Sequence, residues 1–412
     1  MIKQNNIDFI TYGIISLCLP PILSCFLLIL LYLRSNNKNI IIIFSLFLSL
    51  LLTYNFFSID NYGRFTHATS AFYDSWYLGD PLTNLMRLGI QTLPLECSHF
   101  FLLYTFTALT LWWKTLTNCV LIKNKNIYIY IFLIFILVPS IRNIMDLSYY
   151  CLSVLFTLYL TSKSNQFTLV KYGVLIIGVY LIHPGFLIIL LPAIPIYIFS
   201  KSSNIYYYSI LFLVFTLYAL LSNATLTHVG ILLIDVVIEA FSSYTQDGFW
   251  GIREGATAIK GISYTLIYYI IPFLYFILFL YTIKYRSFIK QKFILAIFQA
   301  SILFYPNFIK YVTLSERVLL VLSFTSILCW IMLIQTNKFK MKLKSVIIYS
   351  SLIFTFNITK ASGAVLLPNV FKENTYIEKQ YNSLYLPSIF LFDFQTYGYS
   401  DNFLKENTYI TF

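Results

Sequence analysis

The segment Ile22–Leu52, ILSCFLLILLYLRSNNKNIIIIFSLFLSLLL, decides the fold class. Two continuously apolar runs flank a short connection that carries Arg34 and Lys38. A strand of a membrane barrel would alternate apolar and polar residues over about ten positions, and neither run alternates. With its flanks, each run approaches the roughly 20 residues that an α-helix needs to cross a hydrocarbon core of about 30 Å. YIYIFLIFILV at 128–138 repeats the pattern. Across the 412 residues, 59% are hydrophobic and 11% charged, the composition of an all-α, polytopic integral membrane protein. The first run is longer than a signal-peptide core, and no small-residue cleavage site follows it, so it is read as a mature span.

Spans are expected near 9–33, 39–57, 95–116, 126–141, 144–161, 167–182, 185–200, 205–222, 262–283, 291–310, 316–336 and 345–366, about twelve transmembrane helices. Alternate connections then carry RSNNK (34–38), the 114–125 segment, Lys163, Lys201, KYRSFIKQK (284–292) and KFKMKLK (338–344). The positive-inside rule makes these connections cytoplasmic. The net charge of +12 is therefore an orientation signal, and no nucleic-acid partner is expected. All 16 Asp and Glu and all 4 His fall on the other side or at its edge. Both termini then face outward. Residues 1–366 are expected to form a bundle with outward loops at 58–94 and 223–261, followed by an outward tail, 367–412. KENTYI recurs at 372–377 and 405–410, a recurrence read as chance in an Asn/Tyr/Lys-rich chain in preference to two strand-turn units. The six Cys are scattered through apolar runs without metal-ligand or disulfide spacing and are read as packing residues.

Topology accounts for the lysines but not for the arginines. Five of the seven Arg lie outward, namely Arg64, Arg87, Arg142, Arg253 and Arg317. The planar five-donor fork of Arg binds phosphate or carboxylate bidentately, so outward Arg at membrane ends point to an anionic ligand. Bland readings stand beside this one. Arg142 with Asp146, and Glu316 next to Arg317, also fit ion pairs at helix ends, and Arg64 and Arg87 fit solvated loop positions. His183 in LIHPGF fits an interfacial histidine as well as a catalytic one, and Asp60 is the first acid after the second span.

The order of elements resembles the Wzy-type O-antigen and capsule repeat-unit polymerases, in their EpsG-like branch. The resemblance covers about 10–335 and rests on SIDNYGRF (58–65), GDPLTNLMRLGI (79–90), SIRNIMDLSYYCLSVLF (140–156), LIHPGFLIILLP (181–192) and SERVLLVLSF (315–324). It implies a GT-C-like helical bundle in a bacterial inner membrane, with both termini periplasmic. It also implies partners: undecaprenyl-diphosphate-linked glycans, membrane lipid and a chain-length regulator protein. Such an enzyme joins lipid-linked repeat units at the periplasmic face and releases undecaprenyl diphosphate. On that reading Arg142, Arg253 and Arg317 would stabilise the leaving diphosphate, with Arg142 counted as catalytic. Asp60 or His183 would take the proton of the attacking hydroxyl. Arg64, Arg87, Tyr62 and Trp250 would contact sugar, with Tyr73, Trp76 and Tyr244 as further stacking candidates, although aromatic belts are common at membrane interfaces. No outward carboxylate cluster has metal-ligand spacing, so no metal or other cofactor is expected. Rival readings are an O-antigen ligase or another lipid-linked GT-C-type glycosyltransferase, a lipid-linked oligosaccharide flippase and a membrane-bound O-acetyltransferase. A flippase would need ionisable residues reachable from both faces, whereas those of the spans lie at outward ends. The acetyltransferase would need its histidine on the cytoplasmic side.

Overall fold

The computed structural model describes residues 2–35, 39–55, 81–119, 148–163, 169–221, 269–309, 312–336 and 375–407, and every regular element among them is helical. The helices are α1 (Ile2–Leu17), α2 (Pro21–Ser35), α3 (Ile40–Asn55), α4 (Pro81–Thr92), α5 (Cys97–Cys119), α6 (Ser148–Lys163) and α7 (Leu169–Ile182). They continue with α8 (Leu187–Ile198), α9 (Asn204–Leu221), α10 (Ile271–Lys284), α11 (Lys292–Phe308), α12 (Val312–Ile334), α13 (Thr375–Tyr385) and α14 (Asp401–Asn407). Among the described residues, three helical stretches, Pro184–Lys201, Asn204–Leu221 and Leu314–Leu333, are long and apolar enough to cross a membrane. The spans expected at 126–141 and 345–366, and most of the loops 58–94 and 223–261, lie outside the described residues.

The chain forms two compact units. The first comprises Met1–Trp113, Ser140–Leu152 and Thr359–Phe412. Its opening span, expected to run unbroken over 9–33, is instead two helices. The cause is Pro20–Pro21: a residue before proline is pushed out of the α region, while Pro21 suits the first position of a new helix. The break leaves carbonyls at the end of α1 without helical donors. The tail supplies them. Ser388 donates to Leu19 O through its N–H at 2.9 Å and its hydroxyl at 2.6 Å, and the Ile389 N–H donates to Leu17 O at 3.0 Å.

The tail is further tied to the end of α3. Tyr54 donates its hydroxyl to Leu391 O at 2.9 Å, and the Tyr399 hydroxyl donates back to Tyr54 O at 2.8 Å. Phe394 stacks on Tyr54 with ring centroids 5.4 Å apart. Gly398 lies against both: a methyl there would fall 2.5 Å from Phe394 Cδ1 and 2.8 Å from the Tyr54 hydroxyl. The described parts of the two KENTYI copies are helical, at the start of α13 and the end of α14.

Two helix N-termini in this unit cap each other. Asp401 Oδ1 accepts from the Cys97 N–H at 2.9 Å, and Glu96 Oε2 accepts from the Asp401 N–H at 2.6 Å. Each carboxylate therefore satisfies an orphan donor of the other's helix. His99 Nε2 lies 3.2 Å from Phe392 O. Burial, reinforced by the charge of Glu96, raises the Asp401 carboxyl to about 6 against the lowering effect of the Cys97 N–H. Asp393, fully exposed, is shifted the other way, first by its side-chain hydrogen bond with Thr396.

The sign for Asp401 follows from linkage. Its carboxyl holds a proton more readily in the folded state, so its contribution is most favourable below its ordinary value of 3.8 and is lost as pH rises through about 6. Asp401→Asn keeps an acceptor for the Cys97 N–H and removes the charge. The variant should flatten the decline in thermal midpoint between about pH 4 and 6 and unfold at a higher temperature than wild type near pH 7, as read by thermal unfolding of the full chain in detergent.

The second unit comprises Lys114–Pro139 and Ser153–Ile358. Helix α11 is its centre, packed by α8, α9, α10 and α12, with every residue from Phe293 to Ser301 buried. Helix α9 is largely bare, exposing Ile205, Phe212, Leu213 and Leu220. Helix α7 exposes Val170, Val174, Ile177 and Leu181, one face at helical spacing. Contiguous apolar faces of this kind suit hydrocarbon as solvent. Several polar side chains inside the helices are satisfied locally: Thr157, Thr161, Ser301 and Thr325 each donate to the carbonyl four residues back at 2.7–2.9 Å. Pro192 inside α8 cannot donate to Ile188 O, and the buried Tyr218 hydroxyl replaces the missing donor at 3.1 Å. Tyr218→Phe would leave that carbonyl unsatisfied. We expect a loss of about 1–3 kcal/mol in chemical-denaturant unfolding.

Candidate functional site

Within the second unit the helices alternate in direction, so their termini gather at two ends. One end holds the finish of α7, the start of α8, the finish of α9 and α11 and the start of α12. Ser315 fastens α12 to α11 there, donating its hydroxyl to Phe308 O at 2.9 Å. Aromatic rings wall this end: Phe304 stacks on Phe308 at 4.1 Å, and Tyr218 meets Phe304 edge-on at 4.7 Å.

His183 sits in the turn between α7 and α8. Its N–H makes the last bond of α7, to Val179 O at 2.8 Å. Its backbone is then extended, at φ −164° and ψ 105°, because Pro184 follows. Pro184–Phe186 makes a short 3₁₀ turn, and His183 caps it: Nδ1 accepts from the Gly185 N–H at 3.1 Å. Arg317, in the second turn of α12 and 8% exposed, brings Nη1 to 3.1 Å from His183 Nε2. Two residues 134 positions apart, each singled out from the sequence, thus meet.

The pair has a definite hydrogen-bond problem. A guanidinium in a protein stays protonated and only donates, as does the Gly185 N–H. A neutral imidazole has one acceptor nitrogen. Two donors are therefore aimed at a ring that can accept from one. In the tautomer where Nδ1 accepts the Gly185 N–H, Nε2 carries the proton and faces another N–H; in the other, Nε2 accepts from Arg317. An anionic oxygen accepting from both Nε2–H and Nη1–H would convert this opposition into two charge-assisted hydrogen bonds. The arrangement is that of an anion site built from one histidine and one buried arginine.

Gly185 is the residue sequence reading missed. A methyl group at this position would lie 2.9 Å from His183 Cε1, 3.1 Å from Nδ1 and 3.8 Å from Arg317 Nη1. Only glycine lets the imidazole lie over the turn. The signal was available in the His-Pro-Gly order, where a histidine precedes a proline turn and the smallest residue follows.

The other expected site residues are placed as follows. Arg87 is on α4, in the first unit, and its side chain is outside the described residues, as are Asp60, Tyr62, Arg64, Arg142, Asp146, Trp250 and Arg253 entirely. Glu316 is half-buried beside Arg317. Among the described residues, no group of three His, Cys, Asp or Glu converges as a metal site. Five of the six cysteines are buried, and only Cys18 is exposed. No family model, curated protein or solved structure matches the chain.

Contact between His183 and Arg317 makes a thermodynamic prediction. The stability losses of His183→Ala and Arg317→Ala should be non-additive by about 0.5–3 kcal/mol in a double-mutant cycle. In a Gly185→Ala background, where the ring is displaced, the coupling should vanish. Denaturant unfolding of the eight proteins of the two cycles reads both.

Proposed function

We propose that the chain is a polysaccharide polymerase of the bacterial inner membrane. It would join undecaprenyl-diphosphate-linked oligosaccharide repeat units at the periplasmic face and release undecaprenyl diphosphate. About twelve spans with both termini periplasmic, in a GT-C-like bundle, complete the reading. The ordered motifs of the sequence support it. The observation that carries it is the His183–Arg317 pair, whose nitrogens sit 3.1 Å apart at the bundle end that the charge pattern turns outward.

In the proposed reaction a sugar hydroxyl of one repeat unit attacks the anomeric carbon of the lipid-linked glycan. The carbon–oxygen bond to the diphosphate breaks, and the bonding pair leaves with the diphosphate. Negative charge grows on that leaving group, and donors aimed at it act most strongly in the transition state. Arg317 and the Nε2–H of His183 would serve there, with Arg142 and Arg253 as further cations. Asp60 or His183 would take the proton of the hydroxyl; in the tautomer with Nε2 protonated, His183 would instead donate to the diphosphate and Asp60 would be the base.

The experiment is polymerisation by the purified protein given defined lipid-linked repeat units, resolved as chain-length ladders on gels. Arg317→Lys keeps the charge but loses the fork, and should cost about 3 kcal/mol, or roughly a hundredfold in rate, at matched expression. An arginine that only pins a helix end would tolerate the change. Wild-type ladders from Arg317→Lys would therefore remove it from the diphosphate site, and no ladder from wild type would sink the reading as a whole. The orientation is checked separately by reporter fusions at Lys201 and Lys290, which should read cytoplasmic.

A further inference from the structure

The end of the second unit opposite His183 collects cations. The chain passes through Lys201 and Ser202 between α8 and α9, and through Arg286, Lys290 and Lys292 between α10 and α11. The guanidinium of Arg286 lies flat against Tyr207, 3.9 Å from the ring centroid. Its Nη2 donates to Ser202 O at 2.9 Å and to Asn204 Oδ1 at 3.0 Å. Tyr207 is itself buried and held by Gln299, to whose Oε1 its hydroxyl donates at 2.5 Å. Arg286 is thus a fixed cation, and its Nη1 is buried with no hydrogen-bond partner among the described residues. Lys292 Nζ donates to the carbonyl oxygen of the same Arg286. Burial, and after it the charges of Arg286 and Lys201, disfavour the charged form of Lys292, and Lys201 directly precedes Ser202, whose carbonyl Arg286 holds.

An excess of basic residues on one side follows from membrane topology alone. That rule asks only for solvated lysines in a connection. It does not ask for an arginine stacked on a buried tyrosine with two lysines within repulsive range. Among the described residues that meet here, 199–211 and 269–309, no Asp or Glu occurs. Like charges gathered at the edge of a low-dielectric region are costly without a counter-ion. Two ammonium groups beside a fixed guanidinium match the several acceptor oxygens of a phosphate, and basic pockets between helix ends at a membrane surface are where anionic headgroups bind.

We propose that Lys201, Arg286 and Lys292 form a binding site for a phosphate group, carried by an anionic phospholipid headgroup or by a soluble phosphate. The inference uses nothing at the His183 end and is read without any assay of catalysis.

The test is thermal unfolding of the full chain in neutral detergent, titrated in separate arms with phosphatidylglycerol, phosphatidylcholine and inorganic phosphate. Phosphatidylglycerol should raise the midpoint, and phosphatidylcholine should not. Lys201→Gln, a change at an exposed side chain, should weaken the response roughly fivefold, and Lys201→Gln with Lys292→Gln should weaken it further. Lys114→Gln with Lys163→Gln removes the same charge at exposed lysines elsewhere and should leave the response unchanged. Stabilisation by inorganic phosphate with the same dependence on Lys201 would identify a soluble ligand and keep the site. No stabilisation of the wild type by either anion, or equal weakening by both lysine pairs, overturns the proposal. If the double variant does not fold, Lys201→Gln against Lys163→Gln decides alone.

Discussion

The structure depends on one constraint: a backbone polar group in an apolar surrounding must find its partner within the protein. Helices meet it everywhere except at their ends and at prolines, so those places need side chains or other segments as donors and acceptors. Two interruptions are answered in kind. The carbonyl freed by Pro192 receives the Tyr218 hydroxyl, and the carbonyls freed at Pro20–Pro21 receive Ser388 and Ile389. Several serines and threonines within the helices spend their hydroxyls on their own preceding turn. The polar groups of the candidate site lie instead at helix ends.

The tail is held to the first unit on the same principle. Hydrophobic packing contributes through Leu391 and Phe394 against Leu50, Tyr54 and Leu102. Register comes from polar pairing: the Tyr54 hydroxyl donates to Leu391 O, the Tyr399 hydroxyl donates to Tyr54 O, and Glu96 and Asp401 exchange caps. A shift of the tail by one residue would break several of these bonds together, which is why a segment so far along the chain can be positioned by a few contacts.

Much of this was legible in the sequence, and what was not shares a cause. The runs that became α3, α5 and α7–α12 announced themselves as continuous apolar stretches, and their ends were found within a few residues except in α10, which is described only from residue 269. His183 and Arg317 stood out as residue types costly in their setting, though nothing local said that they meet. The Pro20–Pro21 break was visible as a motif but was outweighed by the apolar run around it. The reciprocal caps joined Glu96 to Asp401 across 305 positions, and an acid at a helix start gives no hint of which distant helix it serves. Local pattern sets the elements, while partners for helix ends are tertiary information.

The two described arginines of the second unit, Arg286 and Arg317, show how much depends on what a guanidinium is given. Arg286 is supplied with oxygens, at Ser202 and Asn204, and with a π face, so much of its hydrogen-bonding demand is answered by the chain. At Arg317 the nearest ring nitrogen belongs to a histidine that also faces another donor. The same fork is therefore held by oxygens and a ring at one end, with Nη1 left over, and set against a histidine at the other. By keeping a nitrogen there, with Gly185 clearing room for the ring, the turn holds two donors together in a way that neither residue's own stability would favour, and that opposition is the strongest physical reason to look for an anion at this end of the bundle.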